Sequence, residues 1–142
     1  MGARLKLLIC GWLLEGGAMN AGAEPLFVQV ARFVQNLIVN GTLRAGDRAP
    51  STNELAAFHE INPATARKGL SLLVDAGVLT KRRGLGMFVT EGACDLIMAQ
   101  RRAELAGAHI AALIDEALRL GCVRVDLYAL INNVAESRGM YR

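Results

Sequence analysis

Apolar residues recur every three or four positions between Pro25 and Gly41, which is the spacing of one face of an α-helix. Proline is favoured at a helix start and glycine just beyond a helix end, so this segment predicts a first helix. Further on, Ser51-Thr52-Asn53-Glu54 has the spacing of a capping box, in which the serine and glutamate side chains bind each other's backbone N–H groups. A short second helix is therefore expected from there to about Phe58.

A third helix is predicted from Asn62 to about Asp75, because Asn62 is a good cap and Pro63 suits the first helical position. Its inward face would hold Ala66, Leu70, Leu73 and Val74. Two β-prone runs follow, 78–82 and 87–90, separated by the sequence RGLG, whose glycines suit the tip of a hairpin. Three helices and a hairpin, with a tight turn between the second and third helices, predict a winged helix-turn-helix.

The last third of the chain predicts two helices. Apolar residues from 96 to 120 alternate steps of three and four without a break, which is the pattern of a helix-packing seam. The seam residues, expected to mediate dimerisation, are Leu96, Ala99, Ala103, Ala106, Ile110, Leu113, Ala117 and Leu120. A last helix, from about Asp126 to Ser137, is expected to cover the seam with Leu127, Leu130, Ile131 and Val134.

These elements predict a mainly α fold with a small β-hairpin. We divide the chain into an N-terminal extension (residues 1–24), a winged helix-turn-helix DNA-binding domain (residues 25–90) and a two-helix C-terminal dimerisation tail (residues 91–142).

The positive charge of the chain is concentrated in its middle. Of 16 basic and 13 acidic side chains, residues 25–90 hold eight basic and four acidic ones, whereas residues 91–142 hold six basic and seven acidic ones. Arg67 and Lys68 lie near the start of the predicted third helix, where the helix dipole disfavours cations. Together with Lys81, Arg82 and Arg83 on the hairpin, they are expected to face the same side. A polyanion would compensate these charges, which favours nucleic acid as the partner.

The first 24 residues have the parts of a secretory signal peptide. Arg4 and Lys6 precede an apolar run, and Ala21-Gly22-Ala23 resembles a cleavage site. The run is shorter than the roughly 20 residues that span a bilayer. Because the rest of the chain predicts a DNA-binding unit, we prefer a start codon placed upstream of a natural start at Met19, a disordered extension, or a short helix docked on the body. We expect a cytoplasmic protein without membrane contact.

No pattern of residues indicates catalysis or metal binding. Cys10, Cys94 and Cys122 are scattered and form no CxxC pair, which predicts reduced thiols. His59 and His109 have no metal-ligand spacing around them, and no nucleophile–base pair stands out. We therefore expect no enzyme activity, no metal and no cofactor.

The segment from 25 to 90 resembles the DNA-binding domain of GntR-family bacterial transcription regulators. The resemblance rests on the motifs G-x-L-x-x-G-D, P-S-x-x-E-L-A, N-P-x-T-x-R, L-x-x-x-G-V-L and R-R-G-x-G-x-F-V. The helical tail is similar to that of the YtrA-like subfamily, whose members dimerise through two helices and lack a large effector domain. The chain departs from the family at Asn53, where an arginine that contacts DNA is usual, and at Ala45, Ala49 and Leu85.

A helix-turn-helix places the N-terminal end of its recognition helix in the major groove. Together with the resemblance, this leads us to expect DNA contacts from Ser51, Thr52, Asn53, Asn62, Ala64, Thr65, Arg67, Lys68, Arg82, Arg83, Gly84 and Gly86. Thr65 can bind a phosphate or a thymine methyl group, and Asn53 can bind adenine or be only an exposed helix residue. The two glycines allow a narrow wing tip in the minor groove, with arginines supplying charge.

We predict a sequence-specific DNA-binding transcription regulator, a homodimeric repressor of a palindromic operator in double-stranded DNA. The resemblance implies that transporter genes are among its targets. Two other classes stay open: the DNA-binding head of a fused aminotransferase-like enzyme, which would continue to a cofactor lysine, and a winged helix that contacts only proteins, which would not need the basic charge. No effector is indicated, because the tail leaves little room for a small-molecule pocket of several hundred Å³.

Overall fold

The computed structural model describes residues 24–141, which fall into two compact units, residues 24–98 and residues 99–141. Our interpretations of the extension before residue 24, and of Cys10 within it, lie outside the described residues. The first unit contains α1 (Leu26–Val39), α2 (Thr52–His59), α3 (Pro63–Asp75), β1 (Leu79–Arg82), β2 (Gly86–Val89) and the beginning of α4 (Ala93–Glu104). The predicted mainly helical fold with a small hairpin is confirmed, and α2, α3 and both strands lie within one residue of their expected bounds.

Both helices of the helix-turn-helix begin at the caps that the sequence predicts. The Ser51 hydroxyl accepts the Glu54 N–H (3.1 Å), and the Glu54 carboxylate accepts the Ser51 N–H (2.7 Å), which completes the capping box of α2. At α3 the Asn62 side-chain oxygen accepts the Ala64 N–H (2.8 Å), and Pro63 occupies the first helical position. Because the first amides of a helix lack partners within it, these local bonds set where each helix starts.

Helices α1 and α3 approach each other most closely at Gly69. A Cβ atom built there would lie 2.6 Å from the Phe27 carbonyl oxygen and 2.8 Å from the Val30 Cβ. The side chains expected on the inner face of α3 are buried, except that Val74 is only half-buried. Gly69 belongs to that face, although the sequence pattern does not mark it, and its missing side chain permits the contact.

The connector before α2 is part of the wing. Gly46 and Ala49 donate backbone N–H bonds to the carbonyls of Val89 and Met87, both at 2.8 Å, and Arg48 bridges Phe88 in antiparallel fashion. The two strands pair antiparallel, with Leu79 opposite Val89 and Arg82 opposite Gly86. The hairpin is thus held at its open end by the connector, and the glycine-containing tip projects from it.

The second unit departs from the predicted continuous α-helix. After α4 ends at Glu104, residues Leu105–Ile110 form a π-helical segment, followed by α5 (Ala111–Arg119) and α6 (Arg124–Ser137). A π-helical turn bonds each N–H to the carbonyl five residues earlier, so it takes in an additional residue. It rotates the side chains that follow by about 100° relative to an uninterrupted α-helix. The predicted seam residues Ala106 and Ile110 lie in this segment, so a continuous α-helix does not carry the seam.

Most apolar side chains of the second unit are exposed in the single chain. Among the described residues from 99 onward, only Ala117 and Leu127 are buried. Of the four residues expected to cover the seam from α6, Leu127 is buried, and the other three are exposed in the single chain: Leu130, Ile131 and Val134.

His59 lies in the aromatic part of the first unit. Its imidazole stands edge-on to Phe33 and Phe58, with ring centroids 4.7 and 4.8 Å away. Its Nε2 atom is buried and has no hydrogen-bond partner among the described residues. Burial disfavours the imidazolium and lowers the pKa of His59 below 6.5.

We expect His59 to make the fold sensitive to acid. As the pH falls below about 6.5, the unfolded chain takes up a proton at His59 that the folded chain resists, so the free energy of unfolding decreases until the folded-state pKa is passed. In His59→Leu, chemical denaturation at pH 7 and pH 5 should show a smaller loss of stability than in the parent. The exposed His109 provides the control, because His109→Gln should retain the parental loss. An equal loss in parent and His59→Leu would contradict the prediction.

The described residues contain no membrane-spanning helix and no metal cluster. No helix within residues 24–141 is both long and apolar enough to cross a membrane. Over the same range, no three or more His, Cys, Asp or Glu side chains come together in a way that could hold a metal ion. Cys94 and Cys122 are free thiols.

Candidate nucleic-acid interface

The start of α3 presents a polar, cationic surface. Asn62, Ala64, Arg67 and Lys68 are exposed, and Thr65 is half-buried. Ala66, Gly69 and Leu70 turn inward, so the core contacts hold the opposite side of the helix rigidly in place. The Asn62 oxygen is used as the helix cap, which leaves its side-chain NH₂ group to contact a ligand.

Lys68 has a partner that the sequence pattern does not indicate. Its Nζ atom lies 3.9 Å from the centroid of the Phe27 ring on α1, the geometry of a cation–π contact. Arg67, by contrast, has no ion-pair partner among the described residues. The two cations that the sequence groups together are therefore in different surroundings, and Arg67 is the less constrained of them.

The cations of the hairpin alternate along β1. Lys81 pairs with Met87 and shares a face with the buried Leu79, whereas Arg82 lies on the opposite face. The Arg82 guanidinium stacks over Phe88, 4.6 Å from the ring centroid. The Lys81 and Arg82 side chains nevertheless both line one cleft of the domain, described below.

The tip of the wing is narrow. Gly84 and Gly86 have φ values of +74° and +113°, which L side chains rarely adopt. Arg83 and Leu85, beside them, are exposed. These backbone angles produce a tight reversal with no side chains at the two glycines, as the RGLG sequence predicts.

A cleft of about 220 Å³ lies between the wing and the start of α2. Arg48, Lys81 and Thr52 are among its lining residues, and Leu70 and Met87 contribute apolar surface. The Arg48 Nε would lie 3.1 Å from a Cβ at Gly86, so the guanidinium crosses the end of the hairpin where that side chain is missing. Sequence reasoning did not select Arg48 or Lys81 as site residues, because only pairing of the connector with β2 reveals their proximity.

The remaining predicted contact residues lie at the start of α2. The Ser51 hydroxyl and N–H are both engaged in the capping box, Thr52 is half-buried beside the cleft, and Asn53 is exposed. The structure thus brings the start of α2 close to the wing in one unit.

Comparisons with known proteins agree with this arrangement. A family model described as bacterial regulatory proteins, gntR family, matches residues 26–89. The HTH-type transcriptional regulator YhcF of Bacillus subtilis is 32% identical over 71 residues, which are 50% of this chain and 59% of that protein. The HTH-type transcriptional repressor YtrA of the same organism is 31% identical over 71 residues, 50% of this chain and 55% of that protein. The matches thus span little more than half the length of these relatives.

A crystal structure from Bacteroides thetaiotaomicron, of a GntR-family transcriptional regulator, has a similar fold, with a TM-score of 0.68. The similarity covers 80% of this chain and 99% of that one at 22% sequence identity. The fold, the motifs and the family match all concern the same helices and hairpin. Residues 26–89, which match the gntR family model, form a winged helix-turn-helix domain of the GntR type.

Proposed function

We propose that this protein binds double-stranded DNA and regulates transcription. The observation that carries the proposal is the set of exposed cations on α3 and the wing, none of which is ion-paired with another described residue: Arg67, Lys68, Lys81, Arg82 and Arg83. Uncompensated charge on a helix-turn-helix suits a polyanion, because binding releases the counterions condensed on DNA. A winged helix that contacts only proteins would not need this uncompensated positive charge.

The active form in this proposal is a homodimer assembled through the second unit. Its exposed apolar side chains include Leu105, Ile110, Leu113, Ile114, Leu118, Leu120, Tyr128, Leu130, Ile131 and Val134. Monomeric proteins rarely expose so much contiguous apolar surface, and a second copy offers the complementary surface. The expected dimerisation residues Ile110, Leu113 and Leu120 are among these side chains.

A two-fold dimer would recognise a two-fold symmetric operator, because each winged domain reads one half-site. We propose repression as the outcome, supported by the relative named a repressor, and the cytoplasm as the location, because bacterial DNA is there. Transporter genes are proposed as targets on the family resemblance alone.

The basic surface should make DNA affinity strongly dependent on salt. Each phosphate neutralised contributes about 0.9 to the slope of log affinity against log salt concentration. Arg83→Ala should therefore lower the slope by about two in a dimer and weaken binding to operator and scrambled duplexes alike. Fluorescence anisotropy at several salt concentrations measures both quantities.

Arg119→Ala is the matched control. Arg119 is an exposed arginine of the second unit and is paired with Glu116, so its removal should leave the slope unchanged. An affinity independent of salt in the parent would overturn the proposed function, and a parental slope in Arg83→Ala would exclude the wing tip from phosphate contact.

A further inference from the structure

We propose that the cleft between the wing and α2 binds one DNA phosphate through Arg48 and Lys81, a contact distinct from those of the recognition helix and wing tip. The inference rests on the proposed function and assigns a role to two residues outside the predicted contact set. The ligand is one phosphodiester of the backbone strand between the major groove, where α3 is placed, and the adjacent minor groove, where the wing tip is placed.

The backbone positions both cations before any ligand arrives. Arg48 is held by its bridge to Phe88, and the flanking Ala49 N–H is bonded to Met87. Lys81 is opposite Met87 in the hairpin register, so the segments that carry the two cations both pair with β2. Arg48 and Lys81 both line the cleft, as does Arg82, whose guanidinium lies over the Phe88 ring. Fixing their positions lowers the entropy lost when they bind an anion.

The charges in the cleft have no internal partner. Neither Arg48 nor Lys81 forms an ion pair with another described residue. The neighbouring carboxylate, Glu54, accepts the Ser51 N–H. That bond also engages the Ser51 amide, so the proposed site does not depend on the end of α2. It consists of side chains, and Thr52 is among those that line the cleft.

The size and shape of the cleft favour a group that belongs to a larger ligand. At about 220 Å³ it is below the roughly 300–1,000 Å³ of small-molecule pockets. The Arg48 side chain lies against Gly86, where a built Cβ would be 3.1 Å from the Arg48 Nε. A guanidinium fork beside an ammonium group suits the oxygens of a phosphate.

The first test compares Arg48→Gln/Lys81→Gln with the parent on a scrambled duplex. Losing one phosphate contact per subunit should lower the salt slope by about two in the dimer. Arg44→Gln is the matched control, because Arg44 is exposed in the same connector but does not line this cleft. Circular dichroism melting verifies that each variant is folded, and Arg48→Lys, which keeps the charge, should retain most of the slope.

The second test locates the phosphate on the operator. A neutral methylphosphonate is placed at one backbone position at a time, symmetrically in the two half-sites. At one position between the grooves, the methylphosphonate should lower the operator affinity of the parent protein by about tenfold per half-site. This is the magnitude expected for the loss of a charge-assisted hydrogen bond. The same methylphosphonate should change the operator affinity of the folded double variant very little.

The outcomes separate this inference from the proposed function. If the parent binds DNA with a steep salt slope, but the folded double variant keeps both that slope and every methylphosphonate penalty, then the cleft does not hold a phosphate, although the function stands. If the parent shows no salt-dependent DNA binding, both proposals are wrong.

Discussion

Ile110→Asp should convert the proposed dimer into a monomer. Ile110 is 47% exposed in the single chain, at the end of the π-helical segment and next to the apolar surface of α5. A carboxylate enclosed by a second copy would lose its hydration without gaining a partner, at a cost of several kcal/mol. Light scattering should report the mass of one chain. Operator affinity should fall by about 10²–10⁴-fold, since a monomer loses the advantage of two linked half-site contacts.

Leu85→Asp serves as the control for oligomeric state. Leu85 is also an exposed leucine, but it lies at the wing tip in the first unit, so the mass of the dimer should not change. If Ile110→Asp remains dimeric while folded, the interface must lie on another surface of the chain.

Gly69→Ala should destabilise the first unit by about 3 kcal/mol, the upper part of the range for overpacked cores. The added methyl group would meet the Phe27 carbonyl oxygen and the Val30 side chain at 2.6 and 2.8 Å. The Phe27 carbonyl oxygen belongs to the backbone and cannot move aside as the end of a flexible side chain can. Helices α1 and α3 must therefore separate, and the packing around Leu70 and Leu73 is weakened. Thermal and urea denaturation should both show the loss.

Gly107→Ala is the matched control for Gly69→Ala. Gly107 lies in the π-helical segment with nothing within 4 Å of a Cβ built on it. Because alanine restricts the unfolded chain more than glycine does, this variant should be as stable as the parent or up to about 1 kcal/mol more stable. Equal stability of Gly69→Ala and the parent would mean that the two helices are less tightly packed than described.

Some features of the site depend on interactions between residues that are close in the sequence, and these features could be predicted. The Ser51 and Asn62 caps depend on residues two or three positions away, so the sequence predicts where α2 and α3 begin. The hairpin likewise follows from its β-prone runs and the glycines between them. With the starts of both helices known, the exposed position of Arg67 follows from the helical period.

Contacts between distant segments lie beyond such patterns. The Phe27–Lys68, Gly69–Val30 and Arg48–Gly86 contacts each join parts of the chain that meet only in the folded domain. For Lys81 and Arg82, the strand period predicts opposite faces, but which face turns toward the body depends on the register of β1 with β2 and on the connector. The cleft exists only because these separate segments converge.

The sequence by itself therefore determined the type and order of the elements, the winged helix-turn-helix and the basic character of its surface, because caps, turns and periodicity act over a few residues. Tertiary structure alone decided the close packing at Gly69 and the meeting of Arg48 and Lys81 at one cleft beside the wing. It also revealed the π-helical segment that interrupts the apolar seam. The first features depend on contacts between atoms that are far apart in the sequence. The π-helical segment depends on one additional residue in a helical turn. The spacing of apolar and polar residues predicts neither.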